Sequence, residues 1–150
     1  MTEIHADNDL AAPVRPAPSW FTAAAVAAIL FELFGCIAYV MQVTQDRSQL
    51  PLDERMMWNY TPWWMVAAYA VAVWVGLAGA VGLILRRRWS IPALGLSLLA
   101  VIVQFGGIYA VPRLRQVTPP SALLVPLGII AAAAAIYALA HHANHRGWLR

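Results

Sequence analysis

The chain has 150 residues, a length that suggests one domain. Hydrophobic residues make up 61% and charged residues only 11%, whereas soluble proteins carry about 25% charge. So few charges cannot cover a water-facing surface, which excludes an ordinary soluble domain and leaves lipid as the main solvent. The net charge of +3 is unevenly spread, because all seven acids lie in the first 54 residues and eight of the ten arginines follow them. A basic balance can signal nucleic acid. Here the arginines stand at the ends of apolar runs, where they set topology and meet anionic lipid, so no nucleic-acid partner is expected.

Residues 1–18 are polar and contain Pro13, Pro16 and Pro18, the composition of an unstructured tail. A first apolar run follows over 20–41. The segment before it is acidic on balance, with Glu3, Asp7 and Asp9 against Arg15, and the run is too long for a signal-peptide core, so it reads as a membrane span. Its only charge is Glu32, near its middle. An acid at that depth costs roughly 2.5–3.5 kcal/mol on insertion scales, so its side chain should face protein or water rather than lipid. Gly35, Cys36 and Tyr39 follow at i+3, i+4 and i+7 on the same helix face, and Gln42 continues that face toward the span's end. The stripe gathers an acid, a thiol, a phenol and an amide. Cys36 is the only cysteine, so no disulfide within the chain is possible.

The stretch 44–61 is the only long loop. Residues 48–55 are expected to form a short interfacial helix with Asp53 and Glu54 in its first turn. Met56, Met57 and Trp58 would then dip toward the lipid. The second span, 62–85, carries no charge. Thr61-Pro62 supplies a capping hydroxyl and a first-turn proline. Tyr69 is a candidate partner for Glu32. Ala72, Gly76 and Ala80 form a small-residue stripe that allows close helix approach, within the bundle or between copies in a homo-oligomer.

Arg86-Arg87-Arg88 separates this span from the third, 91–111, where Ser90 and Pro92 repeat the capping pattern. Ser97 and Gln104 share a face of the third span, and Gln104 is the natural hydrogen-bonding partner for Glu32. Gly106-Gly107 suggests a hinge or a close contact. The fourth span, 120–140, has Pro126 about one turn in, where a kink is expected. Its run of alanines at 131–135 makes it thin. His141 and His145 lie one helical turn apart beyond it, with no acid or cysteine nearby. They could chelate a metal if the helix continues, but the favoured reading is the polar end of the helix, and no metal is assigned. Residues 143–150 form a basic tail.

Each span has about 20 residues or more, enough to cross a ~30 Å hydrocarbon core. Trp20, Trp58, Trp63, Trp64, Trp89 and Trp148 fall near the expected interfaces, and only Trp74 lies mid-span. Six arginines stand on the side of the two termini and four on the other, which places both termini in the cytoplasm. The expected architecture is an all-α integral membrane four-helix bundle in a bacterial inner membrane, with the lipid bilayer as its main partner. No nucleophile–base pair, phosphate loop or dinucleotide fingerprint is present, so neither an enzyme activity nor a cofactor is expected.

Several segments, taken in order, resemble a family of uncharacterised small bacterial four-span inner-membrane proteins, some loosely labelled "sugar transporter". They are Phe31-Glu32-Leu33-Phe34-Gly35, Tyr39 to Thr44, Pro62-Trp63-Trp64, and Val73-Trp74-Val75-Gly76 with Gly79-Ala80. Leu85-Arg86-Arg87-Arg88-Trp89, Leu96-Ser97-Leu98-Leu99 and Arg146-Gly147-Trp148-Leu149-Arg150 complete the series. The resemblance implies topology and carries over no catalytic residue. Ala28 to Gly35 is also similar to the first helix of small multidrug resistance exporters, in which a membrane glutamate couples protons to cationic drugs; this bears on Glu32 alone. The functional expectation is a transporter-like or small-ligand-binding protein with an intramembrane glutamate. The alternative is a non-transporting accessory or structural subunit in which Glu32 and Gln104 lock the bundle. The candidate polar site is Glu32, Cys36, Tyr39, Gln42, Tyr69 and Gln104.

Overall fold

The computed structural model describes residues 16–150. Most of the expected tail at 1–18 lies outside them. The described residues form six α-helices and no strand: α1 (Ser19–Thr44), α2 (Leu52–Tyr60), α3 (Trp63–Ile84), α4 (Ser90–Ala110), α5 (Pro112–Val117) and α6 (Leu124–His145). Four segments are long and apolar enough to cross a membrane: α1, α3, α4, and α6 together with the 3₁₀ turn Pro120–Leu123 that leads into it. The protein is therefore an all-α, multi-pass four-helix bundle, a form in which each span satisfies its own backbone hydrogen bonds.

The long helices pack in an open row, α1 on α3, α3 on α4 and α4 on α6. Glycines set the closeness of the central pairs. A Cβ on Gly79 would lie 2.8 Å from Leu94 Cγ of α4, and one on Gly82 would lie 2.9 Å from the Trp89 ring. Ala72, Gly76 and Ala80 are all buried within the single chain, so the small-residue stripe already has neighbours in α1 and α4. Of the glycine pair in α4, Gly107 is the close contact, against Met65 and Trp64, while Gly106 faces open space.

At one end of the bundle the start of α1, the α3–α4 turn and the C-terminal residues meet. Phe21, Ala25, Leu83, Leu94, Ala140, Ala143, Trp148 and Leu149 form one buried cluster there. Residues 146–150 are thus not a free basic tail. After α6 the chain turns back: Trp148 N–H bonds Ala143 O and Gly147 N–H bonds Asn144 O, both at 3.0 Å. This Schellman turn needs a left-handed residue, which Gly147 supplies at φ 71°. α3 ends in the same way, with Arg86 at φ 56° and Arg87 N–H on Gly82 O at 2.8 Å. A side chain in that conformation costs about 1–2 kcal/mol. The two turns are joined: Arg88 N–H bonds Arg150 O at 2.8 Å, and Arg150 N–H bonds Arg86 O at 2.6 Å. This region is the basic end.

The opposite end carries α2 and α5, which pack together. The loop helix forms over Leu52–Tyr60, with Asp53 and Glu54 in its first turn, so it starts and ends later than the expected 48–55. Before it, Asp46 caps a 3₁₀ turn at Arg47–Gln49, accepting from Ser48 N–H at 3.0 Å and Ser48 Oγ at 2.8 Å. The Ser48 backbone N–H first, then its hydroxyl, hold the Asp46 carboxyl below the usual aspartate range. The Arg47 guanidinium lies 4.6 Å from the Trp58 ring centre, and Arg113 lies 5.7 Å from that of Tyr60. α5 has no signature in the sequence: six residues are too few for a periodic signal, and Leu114 is its single buried residue.

Three local expectations are corrected. Thr61 does not cap α3; its hydroxyl bonds back to Met57 O at 2.8 Å, and Pro62 takes the cap position. Ser90 makes no cap either, since it is already the first residue of α4 and its buried Oγ has no partner. Pro126 lies in the first turn of α6, where a missing N–H costs nothing, so the helix begins after a 3₁₀ turn instead of kinking.

Candidate functional site

Glu32 lies midway along α1 and is only 5% exposed. Its carboxyl is brought to α3 and α4 by Gly76. A Cβ at Gly76 would come within 2.6 Å of Glu32 Cδ and 2.7 Å of Ser97 Oγ. The missing side chain of Gly76 is therefore the space the carboxyl occupies.

Two donors close to Glu32 are committed elsewhere. Ser97 Oγ donates to Ala72 O at 2.7 Å, which ties α4 to α3. Cys36 Sγ donates to Val73 O at 3.4 Å, which ties α1 to α3. Among the described residues, no side-chain hydrogen bond or ion pair engages the Glu32 carboxyl. A buried polar group without a partner is costly, and such groups in membrane spans most often serve function.

Beside Glu32 lies a cavity of about 250 Å³. α1 contributes Phe31, Glu32, Phe34, Gly35 and Ala38; α3 contributes Tyr69, Ala72 and Val73; α4 contributes Val101, Gln104 and Phe105; and α6 contributes Val125, Ile129 and Ala133. The wall is apolar except at Glu32, Tyr69 and Gln104. At its rim Phe34 is 73% exposed and Val125 67% exposed, so its mouth faces the surroundings of the bundle between α1 and α6. A second cavity, about 430 Å³, continues this seam toward the basic end and shares Phe31. Its walls are alanine-rich, with Ala24, Ala27 and Ala28 facing Ala132 and Ala135.

The structure brings three of the six sequence candidates, Glu32, Tyr69 and Gln104, around one cavity. Cys36 is buried beside it against α3. Tyr39 packs edge-on against Tyr69, ring centres 5.2 Å apart, and lines a separate groove with Arg47 and Trp58. Gln42 lines a third cleft, with Gln45 and Glu54, at the α2 end. Sequence spacing placed these residues on one face of α1. It did not show that α3 would cover part of that face and leave the remainder open. The aromatic wall formed by Phe31, Phe34 and Phe105 and the whole α6 contribution also escaped the sequence reading, because apolar residues in a span look alike whether they face lipid or a cavity.

No protein-family model, curated protein or solved structure matches this chain.

Proposed function

We propose that the protein is a transporter-like, small-ligand-binding protein of a bacterial inner membrane, whose ligand meets Glu32 in the α1–α6 seam. One observation carries the reading: a buried carboxyl with no protein partner lines a cavity large enough for a small molecule. An apolar cavity with a few convergent polar groups is the usual form of a ligand site. The wall chemistry favours a compact, largely apolar ligand that bears one positive charge or one strong hydrogen-bond donor. A sugar needs a partner for each of several hydroxyls, and three polar side chains do not supply them. The similarity of residues 28–35 to the first helix of small multidrug resistance exporters points the same way. The ordered motifs shared with the uncharacterised four-span family support the topology.

Orientation rests on arginine. Arg86, Arg87, Arg88, Arg146 and Arg150 crowd the basic end, which favours the cytoplasm for it. At the opposite end Arg47 and Arg113 lie over aromatic rings, and Arg55 donates to Ser48 O and Leu50 O. The second reading, an accessory subunit, is favoured by the same seam, since a partner helix seated there would cover Phe34 and Val125. An association between copies would use such exposed faces, because Ala72, Gly76 and Ala80 are occupied within the chain.

The test compares benzyltrimethylammonium with neopentylbenzene, its neutral isostere, and with a hexose. A ligand that binds only the folded state raises its stability. Stabilisation of the purified protein by the cation, absent in Glu32→Gln, is expected, together with uptake of the cation into proteoliposomes. No stabilisation by any of the three, and no flux above empty liposomes, would sink the proposal.

A further inference from the structure

The last two turns of α6 carry a cluster that the cavity does not use. Tyr137, His141 and His145 follow at intervals of four on one helix face. α6 runs beyond the expected span end at 140 and through His145, so the two histidines stand one turn apart on a continuous helix. The Nε2 atoms of His141 and His145 are 3.0 Å apart, and the ring planes stand at 79°. Both side chains are exposed. His142 borders the same groove but sets its ring edge-on to Trp148, with ring centres 5.7 Å apart.

Two imidazole nitrogens 3.0 Å apart, each about 2.05 Å from a shared metal ion, subtend about 94° at the metal. That is close to the right angle between neighbouring ligands in square-planar and octahedral shells, and well short of the tetrahedral angle that zinc favours. The donor set narrows the choice further. No acid follows Glu54 in the sequence, so an oxygen-seeking ion such as Mg²⁺ or Ca²⁺ has no carboxylate here. Imidazole suits Cu(II) and Ni(II), and Cu(II) tops the affinity order. A cation is also favoured at the C-terminal end of a helix, where free carbonyls gather.

We propose that His141 and His145 chelate a Cu(II)- or Ni(II)-type ion through their Nε2 atoms, with water in the other positions. In the metal-free pair one Nε2 carries the proton and the other accepts it. On binding, the donor ring shifts its proton to Nδ1, both Nε2 lone pairs turn to the metal, and no proton is lost. Among the described residues no third histidine, cysteine or acid joins them, so the site is a two-point chelate, open to exchange with cytoplasmic-side carriers or small chelators.

The experiment uses the untagged full-length protein in detergent, titrated with Ni(II) and with Cu(II), with Mg²⁺ as the control ion. Nitrogen hyperfine structure in the Cu(II) spin-resonance spectrum reports how many imidazoles bind. One ion per chain and two equivalent nitrogens are expected. His141→Ala and His145→Ala should each weaken binding by about tenfold or more, as loss of a ligand requires, and His142→Ala should not. Equal binding by wild type and both single variants, or an equal loss in His142→Ala, would overturn the proposal. The three positions are exposed on a helix, where alanine is well tolerated, and unchanged helical content in each variant confirms that only the site was altered. The outcome is independent of whether the Glu32 cavity binds anything.

Discussion

α3 and α6 have the same length, 22 residues each, and neither has a formal charge before its terminal turn. They differ in what surrounds them. Of the most apolar 18-residue window, 39% is buried in α3 and only 6% in the span that contains α6. α3 is held by α1 on one side and α4 on the other, whereas α6 leans on α4 alone for most of its length. Hydropathy cannot separate the two, because lipid is as apolar as a protein core and offers no reason to hide a leucine. What separates them is size complementarity. The glycines of α3 are each filled by a neighbour, and Gly128 of α6 has nothing within 4 Å. The consequence is the open seam on which the candidate site depends.

Substituting matched glycines tests the contrast most strongly. Gly76→Leu must displace Glu32 and Ser97, and overpacking of this kind costs about 3 kcal/mol or more. Gly128→Leu should stay within about 0.5 kcal/mol of wild type. Thermal unfolding in one detergent reads both, and equal losses would break the comparison. Trp148→Ala examines the C-terminal return that ties the end of α6 to α1, the cluster with Phe21 at 5.5 Å between ring centres. A loss of about 3 kcal/mol is expected, with the seam opening further at the basic end. If stability is unchanged, the C-terminal return does not hold α6.

A smaller effect separates two buried serines of α4. Ser97 bridges to α3, so Ser97→Ala should cost about 0.6 kcal/mol, the usual worth of an interhelical bond in membranes. Ser90 Oγ has no partner, so Ser90→Ala should be neutral or stabilising. The reverse order would mean that hydroxyl bonding does not distinguish the packed interface. The smallest effect lies outside both helices. Because Asp46 has its carboxyl held below the ordinary value of about 3.9, its cap is fully formed above that value. The cap is lost as pH falls through the depressed one. The protection of the Ser48 amide, its exchange rate set against the intrinsic rate at each pH, should fall on acidification, while the protection of amides in α3 and α6 stays as it was.

The spans were legible because each uses a strong, redundant signal: twenty apolar residues, prolines and tryptophans at the edges, arginines beyond. Glu32 was legible as one charge in a span. Its neighbours were only half legible. Tyr69 and Gln104 are polar residues at the right depth, so they could be named. Cys36 and Tyr39 share the helix face of Glu32, but a face some 100° wide meets both α3 and the seam. The C-terminal return was hidden because Arg146-Gly147-Trp148-Leu149-Arg150 reads as a charged tail until the turn at Gly147 is seen. Ser97 could have been paired with α3 from its burial depth, but no sequence feature says that its proton goes to Ala72 O rather than to Glu32.

Ligand access requires Glu32 to be unpartnered and reachable from the bilayer through the gap between α1 and α6. A lipid-soluble carbodiimide, which modifies a membrane carboxylic acid that it can touch, tests this most directly in native membranes. One adduct is expected, on Glu32, that a water-soluble carbodiimide does not reproduce and that Ala133→Trp suppresses by filling the cavity. No adduct on Glu32 in the folded protein, with ready modification once the protein is unfolded, would contradict it.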